Sequence, residues 1–219
     1  MDKQLVTPVE VRASYEDIAR AYQDAFSGDP WYEKSKCIDA RQRCIGGLSS
    51  TAVGQVCQVC NLSPQNIAYE YDELVARFDR LASNKEVGWY IERQDSAIAL
   101  AACAWKTNGK DLVKERYSDD EAMQVWLKNK FADDSFTYLD EIFAQKAVRP
   151  SGNLHNFKGI VIDLTDLLNT KQFCFRTINP ALVRAAVRDF QEQTQIFQRN
   201  KDVPDRRDFV IINVEDIKS

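Results

Sequence analysis

Four of the six cysteines fall between Cys37 and Cys60, in a stretch that also holds Gly46, Gly47 and Gly54 and shows no apolar periodicity. Cys57-x-x-Cys60 has the spacing of a zinc knuckle, and Cys37 and Cys44 supply a second, wider pair. Four thiolates satisfy tetrahedral Zn²⁺ and close its coordination, so the expected role is structural: the metal orders a loop too polar to order itself. Unrelated thiols in a polar loop are the alternative. A redox Cys-x-x-Cys should open a helix beside a strand, whereas a glycine-rich loop precedes this one. Cys103 and Cys174 sit in apolar runs and read as small buried hydrophobes.

A second constellation is Asp140-Glu141 within Tyr138-Leu139-Asp140-Glu141-Ile142-Phe143-Ala144. On a strand the two carboxylates point to opposite faces, so only one faces a given cleft. Burial there raises a carboxylate pKa toward neutrality, which suits a general base; a solvated or ion-paired strand carboxylate is the competing explanation. His155 is the single histidine. It stands as a cap or surface residue rather than a nucleophile's partner, and no Gly-x-Ser-x-Gly elbow accompanies it. Lys34, Lys36, Arg41 and Arg43 make a local basic cluster that a solvated loop explains better than a nucleic-acid or acidic partner does. Trp31, Tyr32, Trp89 and Trp105 read as core or loop anchors.

The elements that must position these groups follow from period and punctuation. Leu5 to Val11 reads as a strand. Ser14 with Asp17 three residues on opens a helix carrying Ile18, Ala21, Tyr22, Ala25 and Phe26, which Gly28 and Pro30 stop. Tyr71, Leu74, Val75, Phe78 and Leu81 share a face of a helix ending near Ser83-Asn84. Val87 to Arg93 and Ala97 to Trp105 form an antiparallel hairpin across Gln94-Asp95-Ser96. Ser118-Asp119-Asp120-Glu121 is a capping box for an inserted helix through Phe131. Phe136 to Ala144 is a strand, Leu154 to Leu168 a helix, Phe173 to Ile178 a strand, Pro180 to Phe190 a helix capped by Asn179, and Phe209 to Val214 a closing strand. The fold class is α/β (α+β), a mixed and mostly antiparallel sheet flanked by helices. One domain spans 1–219, interrupted by a cysteine-rich zinc loop at 34–62 and a helical insertion at 107–134.

From Tyr138 onward the sequence resembles the GCN5-related N-acetyltransferase (GNAT) superfamily. The residues are the strand just quoted, then Arg149-Pro150-Ser151-Gly152-Asn153-Leu154, then the helix after them. The family pattern Gln/Arg-x-x-Gly-x-Gly/Ala presents amides at a helix start to the pyrophosphate of acetyl-CoA, where free N–H groups and the helix dipole stabilise negative charge. Arg149 and Gly152 match it; Leu154 stands where Gly or Ala is usual, and Pro150 lacks an N–H. The resemblance implies cofactor contacts at Phe143, Ala144, Arg149, Ser151, Gly152, Asn153, Leu154 and Asn179, with the backbone of Phe143 and Ala144 pairing with the pantetheine arm. It continues in outline at Asn179: Phe190 falls on the pattern's terminal Phe, and Ala186 on the Tyr that serves as general acid in many members. The implied activity is acetyl-CoA-dependent transfer of an acetyl group to an amine by direct attack on the thioester, with Glu141 as base. The other implied role is a non-catalytic, zinc-stabilised binding module of the same fold, its groove blocked by Leu154.

The 219 residues are 44% hydrophobic and 28% charged, which excludes a disordered chain. The net charge of −4 offers no global attraction to nucleic acid or an anionic membrane. No run approaches the ~18 apolar residues of a membrane span and Met1 to Leu5 lacks a secretory core, so the expectation is a cytoplasmic protein acting on an amine-bearing small molecule or protein.

Overall fold

The computed structural model describes residues 2–27, 33, 35–37, 48–49, 52–61, 64–83, 86–118, 120–131, 133–145, 156–177, 179–197 and 207–217. The chain opens with β1 (Asp2–Val6) and then α1 (Pro8–Ala13). The expected strand to Val11 therefore stops early, and the reason is local. Thr7 accepts from the Glu10 amide while the Glu10 carboxylate accepts from the Thr7 amide, and Pro follows at the first helical position, a reciprocal cap that fixes a helix start. Next come α2 (Tyr15–Ser27), β2 (Ser35–Cys37), β3 (Leu48–Ser49), β4 (Gln65–Ile67) and α3 (Tyr71–Ala82). They are followed by β5 (Val87–Gln94), β6 (Ala97–Asn108), α4 (Gly109–Arg116), α5 (Glu121–Phe131) and β7 (Ser135–Ala144). The chain finishes with α6 (Phe157–Leu167), β8 (Gln172–Thr177), α7 (Pro180–Phe190), β9 (Thr194–Phe197) and β10 (Asp208–Asn213).

Seven strands form one sheet in the order β1-β5-β6-β7-β8-β10-β9. Every neighbouring pair is antiparallel except β7 and β8, which run parallel and so require the crossover that α6 provides. Parallel pairing is confined to Thr137↔Phe173 and Tyr138↔Cys174. Beyond Tyr138, β7 continues for six residues to Ala144, and among the described residues no strand pairs with that edge. The sheet is split at its centre.

Alternation sorts the core. Tyr90, Leu100, Ala102 and Ala104 pack with Phe157, Ile160 and Leu164 of α6 and Leu182 and Ala186 of α7. On the other face Trp89, Ala101 and Cys103 meet Ile18 and Tyr22 of α2 and Leu74 and Phe78 of α3. Trp105 and Tyr138 share that second face and meet Leu112, Met123 and Leu127 of α4 and α5. Segment 107–134 thus holds two helices rather than one. Asn108 caps the first, its Oδ1 accepting from the Asp111 amide at 2.9 Å. Asp120, not Ser118, caps the second, accepting from the Met123 amide at 3.1 Å.

A three-stranded antiparallel sheet, β3-β2-β4, spans the segment without periodicity and its two flanks. Strands of two or three residues are too short for alternation to register. Strand β9 lies at the edge of the large sheet against β10 and has no counterpart in the sequence-based expectation. No helix of the described residues is long and apolar enough to cross a membrane.

Candidate active site and cysteine centre

The ladder between β6 and β7 slips once: Cys103 faces Glu141, and the next residue, Ala104, faces Leu139. Asp140 is the extra residue of a β-bulge, and a bulge puts two successive side chains on one face. The expectation that Asp140 and Glu141 diverge is corrected accordingly. Both carboxylates meet the Arg77 guanidinium of α3, with Nη2 donating to Asp140 Oδ2 at 3.3 Å and to Glu141 Oε1 in a close ion pair. Arg116, at the end of α4, pairs closely with Asp140 Oδ1. The Tyr22 hydroxyl of α2 donates to Glu141 Oε2 at 3.2 Å. Two guanidiniums and two carboxylates thus meet where the α2–α3 and α4–α5 patches adjoin, on the half of β7 that has left β8.

Burial pushes the Glu141 carboxyl up to about 7, with Arg77 pulling it back, Asp140 pushing it further and Tyr22 opposing. Desolvation outweighs the ion pair because the Glu141 side chain is only 12% exposed and lies against the apolar faces of α2 and α3. Burial works against the Arg77 charge, but Glu141, Tyr22 and Asp140 more than offset it and Arg77 is raised. The buried Tyr22 phenol is raised well above its ordinary value, by burial first and by Glu141 second. It therefore remains a donor. Its ring packs against Phe26 at 4.4 Å, Tyr69 at 5.0 Å and Phe143 at 5.1 Å between centroids. Tyr69 donates in turn to Glu33, whose carboxyl burial raises.

Among the residues linked to a cofactor by resemblance, Phe143 is buried, with its ring on the α2 side, while Ala144 packs toward α6 and α7. Both lie on the end of β7 that pairs with β6 and that, among the described residues, has no strand on its β8 side. Asn179 caps α7, its Oδ1 accepting from the Ala181 amide at 2.9 Å. Arg149, Ser151, Gly152, Asn153 and Leu154 lie outside the described residues, as do Pro150, His155, Cys44, Lys34, Arg41, Arg43, Trp31 and Tyr32. Ala186 is buried in the core, so that position of α7 holds no acid. Lys36 of the basic cluster is ion-paired to Glu73 of α3. Cys103 and Cys174 are fully buried and their thiols are pushed up by that burial, which suits packing rather than reactivity.

Cys37, Cys57 and Cys60 converge, all three sulfurs lying within 4.8 Å of one another and the Cys37 and Cys60 sulfurs 3.8 Å apart. Four thiolates at about 2.3 Å from a tetrahedral Zn²⁺ stand roughly 3.8 Å from each other, so the spacing fits an edge of that tetrahedron. Cys57 and Cys60 sit on a turn closed by the Asn61 amide donating to the Cys57 carbonyl at 2.8 Å. Asn61 itself has φ 54°, a left-handed conformation that Asn tolerates better than most side chains.

Arg77, Arg116 and Tyr22 are absent from the sequence-derived site. Arg77 carried one legible signal: a cation one turn from Leu74 and Leu81, at the edge of the apolar stripe of α3. No protein-family model and no curated protein matches the sequence. Solved structures do. A protein described as arylalkylamine N-acetyltransferase 7 of the mosquito Aedes aegypti aligns over 97% of this chain and 86% of its own, with a TM-score of 0.56 at 13% identity. A Corynebacterium glutamicum protein described as histone acetyltransferase HPA2 and related acetyltransferase covers 98% of this chain and 97% of its own, TM-score 0.51, 10% identity. The PaiA N-acetyltransferase of Thermoplasma acidophilum, solved with coenzyme A, covers 97% and 99%, TM-score 0.50, 7% identity.

Proposed function

We propose that this chain, whose fold is that of the GCN5-related N-acetyltransferase superfamily, catalyses acetyl transfer from acetyl-CoA to an amine. One observation carries the proposal: a nearly buried carboxylate, Glu141, whose pKa is pushed up to about 7, on the stretch of β7 that diverges from β8. A base titrating near the working pH is matched to removing a proton from an ammonium. In this reading the acyl chain enters the split between the strands, where backbone groups of Phe143 and Ala144 meet the pantetheine arm. The phosphates are held by residues 149–154 and the start of α6.

The amine attacks the thioester carbonyl, the tetrahedral species expels the CoA thiolate, and Glu141 takes the proton the nitrogen sheds. Arg77 and Tyr22 orient Glu141. With Ala186 at the position of the usual acid, water protonates the thiolate. Segment 34–62 is a zinc-stapled insertion with Cys37, Cys44, Cys57 and Cys60 as ligands, and 107–134 is a helical one. The acceptor stands against the partly buried Phe26 and Tyr69 rings.

Acetyl-CoA binding tests the proposal. A ligand that binds only the native state stabilises it by about 2.7 kcal/mol at a hundredfold excess over Kd, so the melting temperature rises with acetyl-CoA and the rise is lost in Arg149→Ala with Gly152→Val. A melt indifferent to millimolar acetyl-CoA rules the activity out.

A further inference from the structure

Glu141 stands at one end of an aromatic wall, and the other end carries a second carboxylate. Tyr22 donates to Glu141 at 3.2 Å, and its ring meets the Tyr69 ring edge to face at 5.0 Å between centroids. Tyr69 in turn donates to Glu33 Oε2. The two carboxylates are thus linked through one pair of tyrosines, and Glu141 is near enough to act by its charge on the Tyr69 phenol. Phe26 extends the wall, 5.8 Å from Tyr69 between centroids.

Glu33 is fixed in this place. Its amide donates to the Phe26 carbonyl at 2.8 Å, and Gln23 Nε2 donates to the Tyr69 carbonyl at 2.6 Å, so both residues are tied to the second half of α2. Glu33 is half-buried, and among the described residues no group donates to its second oxygen, Oε1. Burial raises its carboxyl more than the Tyr69 bond and the Arg207 charge lower it. Such a carboxylate is short of compensating charge, and a cation set against it restores what burial removes. Phe26 and Tyr69 are only partly buried, and aromatic rings beside a cation add to its attraction.

We infer that Glu33 is a specificity-determining residue for the acceptor: it holds the second ammonium of a diamine whose first nitrogen is presented to Glu141, with the alkyl chain lying along Phe26 and Tyr69. This rests on the acetyl-transfer reading above. The near nitrogen, as free amine, attacks the acetyl carbon; the nitrogen–carbon bond forms and the carbon–sulfur bond breaks. The proton that nitrogen sheds passes to Glu141, the thiolate takes one from water, and Glu141 returns its proton to the hydroxide left behind. The far nitrogen keeps its proton and its charge throughout and serves only to hold the acceptor. A monoamine leaves Glu33 uncompensated and binds more weakly.

Turnover of straight-chain α,ω-diamines with acetyl-CoA, each set against the n-alkylamine of the same length, tests this. Wild type prefers the diamine in kcat/KM by about tenfold or more, the worth of one hydrogen bond to a charged group, and the preference lies in KM. Glu33→Gln keeps an oxygen for Tyr69 but not the charge: it melts with wild type, binds acetyl-CoA as before, and brings the ratio of diamine to monoamine close to one. Glu33→Lys reverses the preference, so that the ω-amino acid of matching length, with a carboxylate in place of the far ammonium, becomes the better acceptor. A merely structural role lowers both acceptors together and leaves their ratio alone. A wild type that takes both equally, or a preference that survives Glu33→Gln, overturns the assignment while acetyl transfer stands. Acetyl-CoA binding with no amine of either kind acetylated overturns it as well. If acetyl-CoA itself does not bind, the transfer reading fails and takes this inference with it.

Discussion

Glu141 gathers strong opposing forces. Its carboxyl gives up its proton near pH 7 instead of the ordinary 4.5, because removing it from water outweighs the attraction of Arg77. Between those values the native state keeps a proton that the unfolded chain releases, so stability falls as pH rises from about 4.5 to about 7. At roughly 1.4 kcal/mol per pKa unit the loss is on the order of 3 kcal/mol. Glu141→Gln carries no ionisable group, so its stability lacks this slope, which denaturant unfolding at pH 5 and pH 7.5 measures. The same substitution lowers kcat/KM by roughly 10² at neutral pH and abolishes the rise in activity centred near pH 7, with acetyl-CoA affinity unchanged. A full-activity Gln variant with an intact pH profile places the base on another group. The sequence made Glu141 a candidate through its strand and neighbours. It hid the direction of Asp140, because the bulge depends on the register between two strands, and it hid Tyr22 and Arg77, which lie 119 and 64 residues away along the chain.

Helices with a clean apolar stripe were legible from period and caps: α7 runs from Pro180 to Phe190 as Asn179 and the proline dictate, and α3 starts at Tyr71 as its stripe requires. Elements defined by tertiary contacts were not. Strands β2 to β4 contain eight residues in all, too few for a period of two to stand out, and β9 is an edge strand defined by its pairing with β10. The seat of α6 on the sheet shows how a single position settles an element. Gly88 of β5 lies beneath it, and a Cβ there would stand 2.8 Å from a Leu167 methyl and 3.2 Å from a Leu164 methyl. Those are ends of flexible side chains, so Gly88→Ala is absorbed with little loss. Gly88→Val, with two further methyls, forces α6 outward and destabilises by about 1–3 kcal/mol, a fall in melting temperature of roughly 3–10 °C for a chain of this size. A Val variant that melts with wild type means that α6 does not rest on β5 at this point.

At the scale of the whole molecule, the cysteine module and the Glu141 network are mechanically joined. Strand β4 ends at Ile67 and α3 begins at Tyr71, so the small sheet leads directly into the helix that presents Arg77. Lys36 of β2 pairs with Glu73 on the first turn of that helix, a second tie between them. Bringing three thiols this close without a metal offers little stabilisation, whereas a structural zinc site contributes directly to folding. Protein purified without added metal is therefore expected to hold about one zinc per chain, and Cys57→Ser to lose it. Stripping the metal frees β2 to β4 and loosens the start of α3, leaving the seven-stranded sheet and the α6 end intact. Activity and acetyl-CoA binding then separate. The zinc-free protein binds acetyl-CoA as before, yet its kcat/KM falls as Arg77 ceases to hold Glu141. Two results defeat this coupling: a purified protein with no zinc and every thiol freely titratable, or a zinc-stripped protein that keeps both its proteolytic resistance around residues 52–61 and the full turnover of the zinc-loaded form.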